Sequence, residues 1–176
     1  MIDKTNDFES INDSSTLCLT CGLCCDGTLI GFVALDTEEL PRLKKIMSIE
    51  EANNSGFLLQ PCKSYCNGCT IYLERPTACD KYNCKLLDAV EEQEIPLTAA
   101  VKVTDEVKAM QTAIIEKVAL LDYTLKSPSF YFRMIELKKI VAKNKAENKA
   151  TQNELDLISE LHTLDVLLLE KFGLTF

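Results

Sequence analysis

The chain has 176 residues, of which 47% are hydrophobic, and it carries a formal net charge of −8. This composition is typical of a globular protein rather than a disordered or fibrous one, and the acidic balance disfavours nucleic-acid backbones, whose binding needs clustered Lys and Arg. Because the first residues lack the basic start and apolar run of a signal peptide, and no stretch is as long as a membrane span, we expect a cytoplasmic protein without membrane contact.

The first predicted elements are short. Residues 29–35 are apolar enough for a brief strand, and the acidic residues that begin at Asp36 predict a helix near 38–47. The Ser-x-x-Glu spacing at 48–51 predicts a second, shorter helix or turn. The residues expected to end it are Asn53, Asn54 and Gly56.

The second half of the chain predicts three helices. Apolar residues recur at intervals of three and four between Val103 and Leu125, which is typical of an amphipathic helix. Ser127 followed by Pro128 predicts the start of a second helix. The apolar stripe of this second helix is Phe130, Met134, Leu137 and Val141.

The third helix has the clearest limits. Thr151-x-x-Glu154 is a capping box, an apolar-rich segment runs to Phe172, and Gly173 can adopt the left-handed conformation that stops a helix. We therefore expect an α-rich, mainly α but irregular fold, in which cysteine-rich metal-binding loops and short helices pack on a C-terminal bundle of about three helices. The expected regions of this one compact domain are an N-terminal arm at 1–17, a cysteine-cluster region at 18–96 and a helical region at 97–176.

Nine cysteines lie between positions 18 and 84, and none follows. The first group is Cys18, Cys21, Cys24 and Cys25, and the second is Cys62, Cys66, Cys69, Cys79 and Cys84. In a reducing compartment such spacing indicates metal binding or catalysis rather than disulfides, and the odd count agrees.

Cysteines two residues apart can direct two thiolates at one metal while the N–H groups of the loop donate to sulfur. The least certain ligand is Cys66, which is equally well explained as a packed side chain. The other eight would serve two four-coordinate sites or one multinuclear cluster. The first group favours an iron–sulfur cluster such as [4Fe–4S], and zinc is the alternative.

Three residues of the second group's segment are expected to surround the metal. Tyr72 and Tyr82 would shield it from solvent, and Arg75 would donate to a sulfur or a carboxylate. Ordinary packing is the alternative explanation for each. The single histidine, His162, lies far along the chain on the last predicted helix and is expected to be a packed or surface residue.

The segment 18–84 resembles a known family. The resemblance rests on the C-x2-C-x2-C-C run at 18–25 and on Cys62, Cys69, Ile71, Tyr72, Arg75, Pro76, Cys79, Tyr82 and Cys84. On these residues the chain resembles the zinc- or iron-chelating CxxCxxCC family, the YkgJ-like cysteine-cluster proteins. The resemblance implies metal chelation without a settled reaction, and Cys66 departs from the common pattern. Flagellin lysine methylases carry a similar cluster, which implies that the module also occurs in enzymes.

We expect a non-catalytic metal-binding protein, because no nucleotide-binding glycine motif and no predicted Cys–His pair accompany the cysteines. One alternative is an iron–sulfur redox or protein-modifying enzyme, such as an oxidoreductase or a relative of protein methyltransferases, or its accessory subunit. Another is an adaptor in which zinc is structural. In each case the expected partner is another protein, recruited through the helical half.

Overall fold

A computed structural model describes residues 13–176, so most of the predicted N-terminal arm lies outside the described residues. The elements of the cysteine-containing half are α1 (Asp13–Cys21), β1 (Phe32–Leu35), α2 (Leu40–Leu43), β2 (Glu50–Ala52), β3 (Ser55–Leu59), α3 (Thr77–Asp80) and α4 (Lys85–Glu91). Three longer helices follow, namely α5 (Leu97–Ala119), α6 (Phe130–Ala146) and α7 (Gln152–Phe172). The α-rich class and the C-terminal bundle are confirmed, since α7 packs against both α5 and α6.

The limits of α7 follow the sequence closely. The Thr151 hydroxyl accepts from the Glu154 backbone N–H, the Glu154 carboxylate accepts from the Thr151 backbone N–H, and Gly173 ends the helix with φ of +76°. The predicted apolar stripe of α6 is also buried, at Phe130, Met134, Leu137 and Val141. Both observations confirm the predictions for these helices.

The limits of α5 and α6 differ from the prediction. Helix α5 begins directly after Pro96, ahead of the predicted stripe, and ends before Leu125. Helix α6 begins at Phe130 with Ser129, not Ser127, at the N-cap position. The Ser127 hydroxyl instead accepts from the backbone N–H of Ser129 at 3.2 Å, so Ser127 forms a turn ahead of the helix.

The region between 36 and 59 contains the largest corrections. The predicted helix at 38–47 is reduced to a 3₁₀ turn, Thr37–Glu39, followed by the short α2, whose first turn contains Pro41. The predicted helix or turn at 48–51 is wrong, because Glu50 and Glu51 belong to strand β2 and the two residues before them lie in neither a helix nor a turn. Asn53 and Asn54 have φ of 52° and 61°, as a type I′ hairpin turn requires, and β2 pairs with β3 beyond them.

The strands form one antiparallel sheet in the order β1-β3-β2, with Phe32 opposite Leu59 and Glu51 opposite Gly56. The buried side chains form two clusters, and cysteines pack against both. The helical core joins Leu17, Leu23, Leu29, Leu86 and Val90 to the inner faces of α5, α6 and α7. The sheet core consists of Leu35, Leu40, Leu43, Leu58 and Cys62.

None of the helices in the described part of the chain is both long and apolar enough to cross a membrane.

Candidate metal centre

The first cysteine group is placed by the end of α1. Cys18 and Cys21 lie three residues apart on this helix, so they share one face. Gly22 follows with φ of +67°, and a Cβ at this position would lie 2.3 Å from the Tyr65 hydroxyl oxygen. Only glycine fits this sharp turn without displacing Tyr65, and the turn leads directly to Cys24 and Cys25.

The second group is folded back on the first. The backbone N–H of Cys62 donates to the carbonyl of Cys25 at 2.7 Å, and the Cys66 N–H donates to the Gly68 carbonyl at 2.9 Å. A single bridge pairs Tyr65 with Cys69. Cys79 lies within α3, and Cys84 occupies the N-cap position of α4.

These cysteines surround two adjoining cavities. The narrow cavity, of about 60 Å³, is lined by Cys18, Cys21, Cys24, Cys25 and Cys84. The wide cavity, of about 330 Å³, is lined by Cys18, Cys24, Cys25, Cys62, Cys69 and Cys79. Cys66 is exposed and lines neither of these two cavities. All nine cysteines are free thiols.

Burial is the largest influence on these thiols. It raises the pKa of Cys18, Cys21, Cys24, Cys25, Cys62, Cys79 and Cys84. For Cys21 and Cys79 the pKa rises to about 12. Backbone amides counteract the rise, namely that of Leu23 at Cys21 and those of Leu87 and Leu86 at Cys84. A positive group is therefore needed to hold several thiolates together here.

Two basic side chains supply part of that positive charge. The guanidinium of Arg75 counteracts the burial-driven rise in the pKa of Cys18 and Cys79, and the ammonium of Lys108 does so at Cys21. Arg75 stacks 3.8 Å from the centroid of the Tyr72 ring, donates to the Tyr72 carbonyl at 2.5 Å and forms an ion pair with Asp80 at 2.6 Å. Arg75 is thus held in a fixed position at the edge of the thiols.

The structure places the three predicted surrounding residues, Tyr72, Arg75 and Tyr82, on the wall of the wide cavity. Burial raises the pKa of Tyr82, so its phenol stays protonated and available as a donor. His162 is exposed on α7, as a surface histidine would be.

Sequence reasoning missed three residues around the thiols. Lys108 lies on α5, and its ammonium donates to the carbonyl of Thr20 on α1 at 2.9 Å. Tyr65 covers Gly22, and Gln60, only 4% exposed, lines the wide cavity with an amide oxygen that has no hydrogen-bond partner among the described residues. No local motif marks these residues, because only the tertiary fold brings them to the cysteines.

The donor chemistry of both cavities fits zinc or iron. Thiols that accept hydrogen bonds from backbone amides are the donors that a thiophilic cation prefers, and both cavities contain them. Among residues 13–176, no three His, Cys, Asp or Glu side chains are gathered as they would be around a single ion. The cysteines line the two cavities instead.

Comparison with known proteins gives one match. The family model CxxCxxCC, described as a putative zinc- or iron-chelating domain, matches residues 17–113. This match confirms the resemblance seen in the cysteine pattern and extends it through α4 into α5, where Lys108 lies. No curated protein and no solved structure showed significant similarity to the chain.

Proposed function

The chain belongs to the CxxCxxCC family, and we propose on that premise that it is a metal-binding protein that holds zinc or iron through cysteine thiolates. The proposed ligands are Cys18, Cys21, Cys24, Cys25, Cys62, Cys69, Cys79 and Cys84. The proposal leaves out Cys66, because it lines neither of the two cavities.

One observation carries this proposal. Eight cysteines reach two adjoining cavities from four separate places, namely α1 and its following turn, the loop after β3, α3 and the start of α4. A cysteine that serves only as a small apolar side chain has no reason to gather with seven others around open space. Coordination of a metal explains why all eight cysteines lie together.

Tyr72, Arg75 and Tyr82 have supporting roles in this proposal. Arg75 offsets part of the negative charge of the thiolates, and the tyrosine rings limit the access of water through the wide cavity. The fixed position of Arg75, between the Tyr72 ring and Asp80, supports this assignment.

The identity of the metal decides what else the protein can do. All-cysteine ligation suits zinc and iron–sulfur clusters alike. Zinc has no redox chemistry, so a zinc protein would be a structural or chelating module. An iron–sulfur cluster would open a redox or protein-modifying role, and recruitment of another protein through the helical half remains a prediction for either metal.

Elemental analysis with a visible absorption spectrum on anaerobically purified full-length protein tests the proposal. We expect zinc or iron in stoichiometric amount, with broad visible absorbance and equivalent sulfide if iron is present. The Cys66→Ala variant should hold as much metal as the wild type. Folded wild-type protein that holds only trace metal, before and after incubation with Zn²⁺ or with Fe²⁺ and sulfide, would refute the proposal.

A further inference from the structure

Six of the eight cavity-lining cysteines divide between the two hydrophobic cores. Cys21, Cys24 and Cys84 pack against the helical core. Cys62 belongs to the sheet core, and Cys25 and Cys79 pack against it. Cys24 and Cys25, although adjacent in sequence, therefore lie against opposite cores.

The two cavities repeat this division. Cys21 and Cys84 line the narrow cavity but not the wide one. Cys62, Cys69 and Cys79 line only the wide one. Cys69, which packs on neither core, thereby joins the cysteines of the sheet core.

A backbone hydrogen bond follows the same boundary. The N–H of Cys62 donates to the carbonyl of Cys25 at 2.7 Å, which holds these two residues of the sheet-core set together.

Cys18, Cys24 and Cys25 line both cavities. The core that each packs against separates Cys24 from Cys25, whereas Cys18 packs on neither core. It shares one face of α1 with Cys21, three residues later. This shared face places Cys18 with the cysteines of the helical core.

We propose that the eight thiols form two separate metal centres of four ligands each, an inference that rests on the proposed function. The helical-core centre consists of Cys18, Cys21, Cys24 and Cys84. The sheet-core centre consists of Cys25, Cys62, Cys69 and Cys79. Four thiolates form a complete set for a zinc ion or for an iron–sulfur cluster, so neither centre needs a ligand from the other.

The consequence is two centres that fill independently. Removing one ligand from the helical-core centre should empty that centre and leave the sheet-core centre loaded, and the reverse should also hold. A single multinuclear cluster would instead lose all its metal in either case. Metal content per folded chain distinguishes these two arrangements.

The experiment compares Cys84→Ala, Cys79→Ala, the double variant and the control Cys66→Ala, each purified without oxygen. We expect each single variant to retain about half of the wild-type metal, the double variant to retain none, and the control to retain all. Loss of all metal, or of none, from either folded single variant would overturn the division. A wild type without metal would instead refute the proposed function itself.

Alkylation footprinting read by mass spectrometry adds a readout that shows where the remaining metal is. In Cys84→Ala, residual metal should protect Cys62 and Cys79 from alkylation and leave Cys21 reactive. In Cys79→Ala, Cys21 and Cys84 should be the protected pair. If one variant does not fold, Cys21→Ala or Cys25→Ala replaces it at the same centre. Protection that crosses the proposed boundary would overturn the division.

Discussion

At the scale of single residues, Gly22 decides whether the first cysteine group can form. Its positive φ and the Tyr65 hydroxyl 2.3 Å from an added Cβ leave no space for a side chain. We expect Gly22→Ala to lower the free energy of unfolding by about 1–3 kcal/mol and to lower metal retention, measured by urea denaturation and elemental analysis.

Tyr65→Ala provides the matched control for Gly22→Ala. It removes the side chain that an added Cβ would meet but leaves the backbone conformation unfavourable. The double variant should therefore lose less stability than the sum of the two single variants. A Gly22→Ala protein as stable as the wild type would contradict this description of the turn.

Glu154 is a second residue whose surroundings give a quantitative expectation. Hydrogen bonds from Tyr123, Thr151 and Asn144 lower the pKa of this carboxyl from its usual 4.5 to about 2. A lowered pKa in the folded state contributes stability above the usual pKa, and this contribution is lost as the pH falls from about 4.5 towards 2.

The Glu154→Gln variant tests this expectation. Gln has the same length and can still complete a capping box through its amide oxygen, but its NH₂ group replaces an oxygen that accepts hydrogen bonds. The variant therefore removes the charge and part of the hydrogen bonding. At pH 7 we expect it to be about 1.5–3 kcal/mol less stable than the wild type, as is typical for hydrogen bonds to a charged group. The difference, measured by urea denaturation at successive pH values, should shrink below pH 4.5. Glu170→Gln, at an exposed position of α7, is the control. A difference that stays constant down to pH 3 would be the contrary result.

At the scale of elements, the β2–β3 hairpin shows why part of the fold could not be predicted. The Ser-x-x-Glu spacing at 48–51 imitates a helix start, and the competing signal was the pair Asn53-Asn54, which tolerates the positive φ of a type I′ turn. Helix α7 was predictable because its capping box, apolar stripe and terminal glycine all agree. Where local sequence signals conflict, as they do between 48 and 54, the pairing of β2 with β3 determines the structure.

The hairpin turn itself can be tested by substitution at Asn54. Gly is favoured at a φ of 61°, and a β-branched side chain is strongly disfavoured. Asn54→Gly should keep or raise the free energy of unfolding, and Asn54→Val should lower it by about 1–2 kcal/mol. Thermal and urea denaturation of both variants measure the effect, and equal stability of the two would contradict a type I′ turn.

Part of the candidate site could be predicted from the sequence and part could not. The cysteines and Arg75 could be identified because their spacing along the chain is itself the recognisable pattern. Lys108 and Gln60 are not, because they reach the cavities from α5 and from the end of β3 through the fold alone. The division of the thiols between two cores likewise depends on packing that no spacing records.

At the scale of the whole molecule, the two cores differ in size. Among the described residues, five form the buried sheet core, one of them Cys62, while eighteen form the helical core. A core this small contributes little stability of its own, whereas structural zinc contributes on the order of 10 kcal/mol or more. We therefore expect the sheet core to depend on bound metal more than the helices do.

Hydrogen exchange before and after chelation measures this dependence. Metal removal should abolish amide protection in β1 and β3 and leave α5 and α7 largely protected. Demonstrated loss of metal with unchanged amide protection in the strands would show that the sheet core is stable without bound metal.

X-ray absorption spectroscopy of the metal in the full-length protein tests whether cysteine sulfur alone binds it. We expect a first coordination shell of sulfur only, with four sulfurs at about 2.3 Å if the metal is zinc. A first shell dominated by nitrogen or oxygen would contradict thiolate chelation and the site proposed for it.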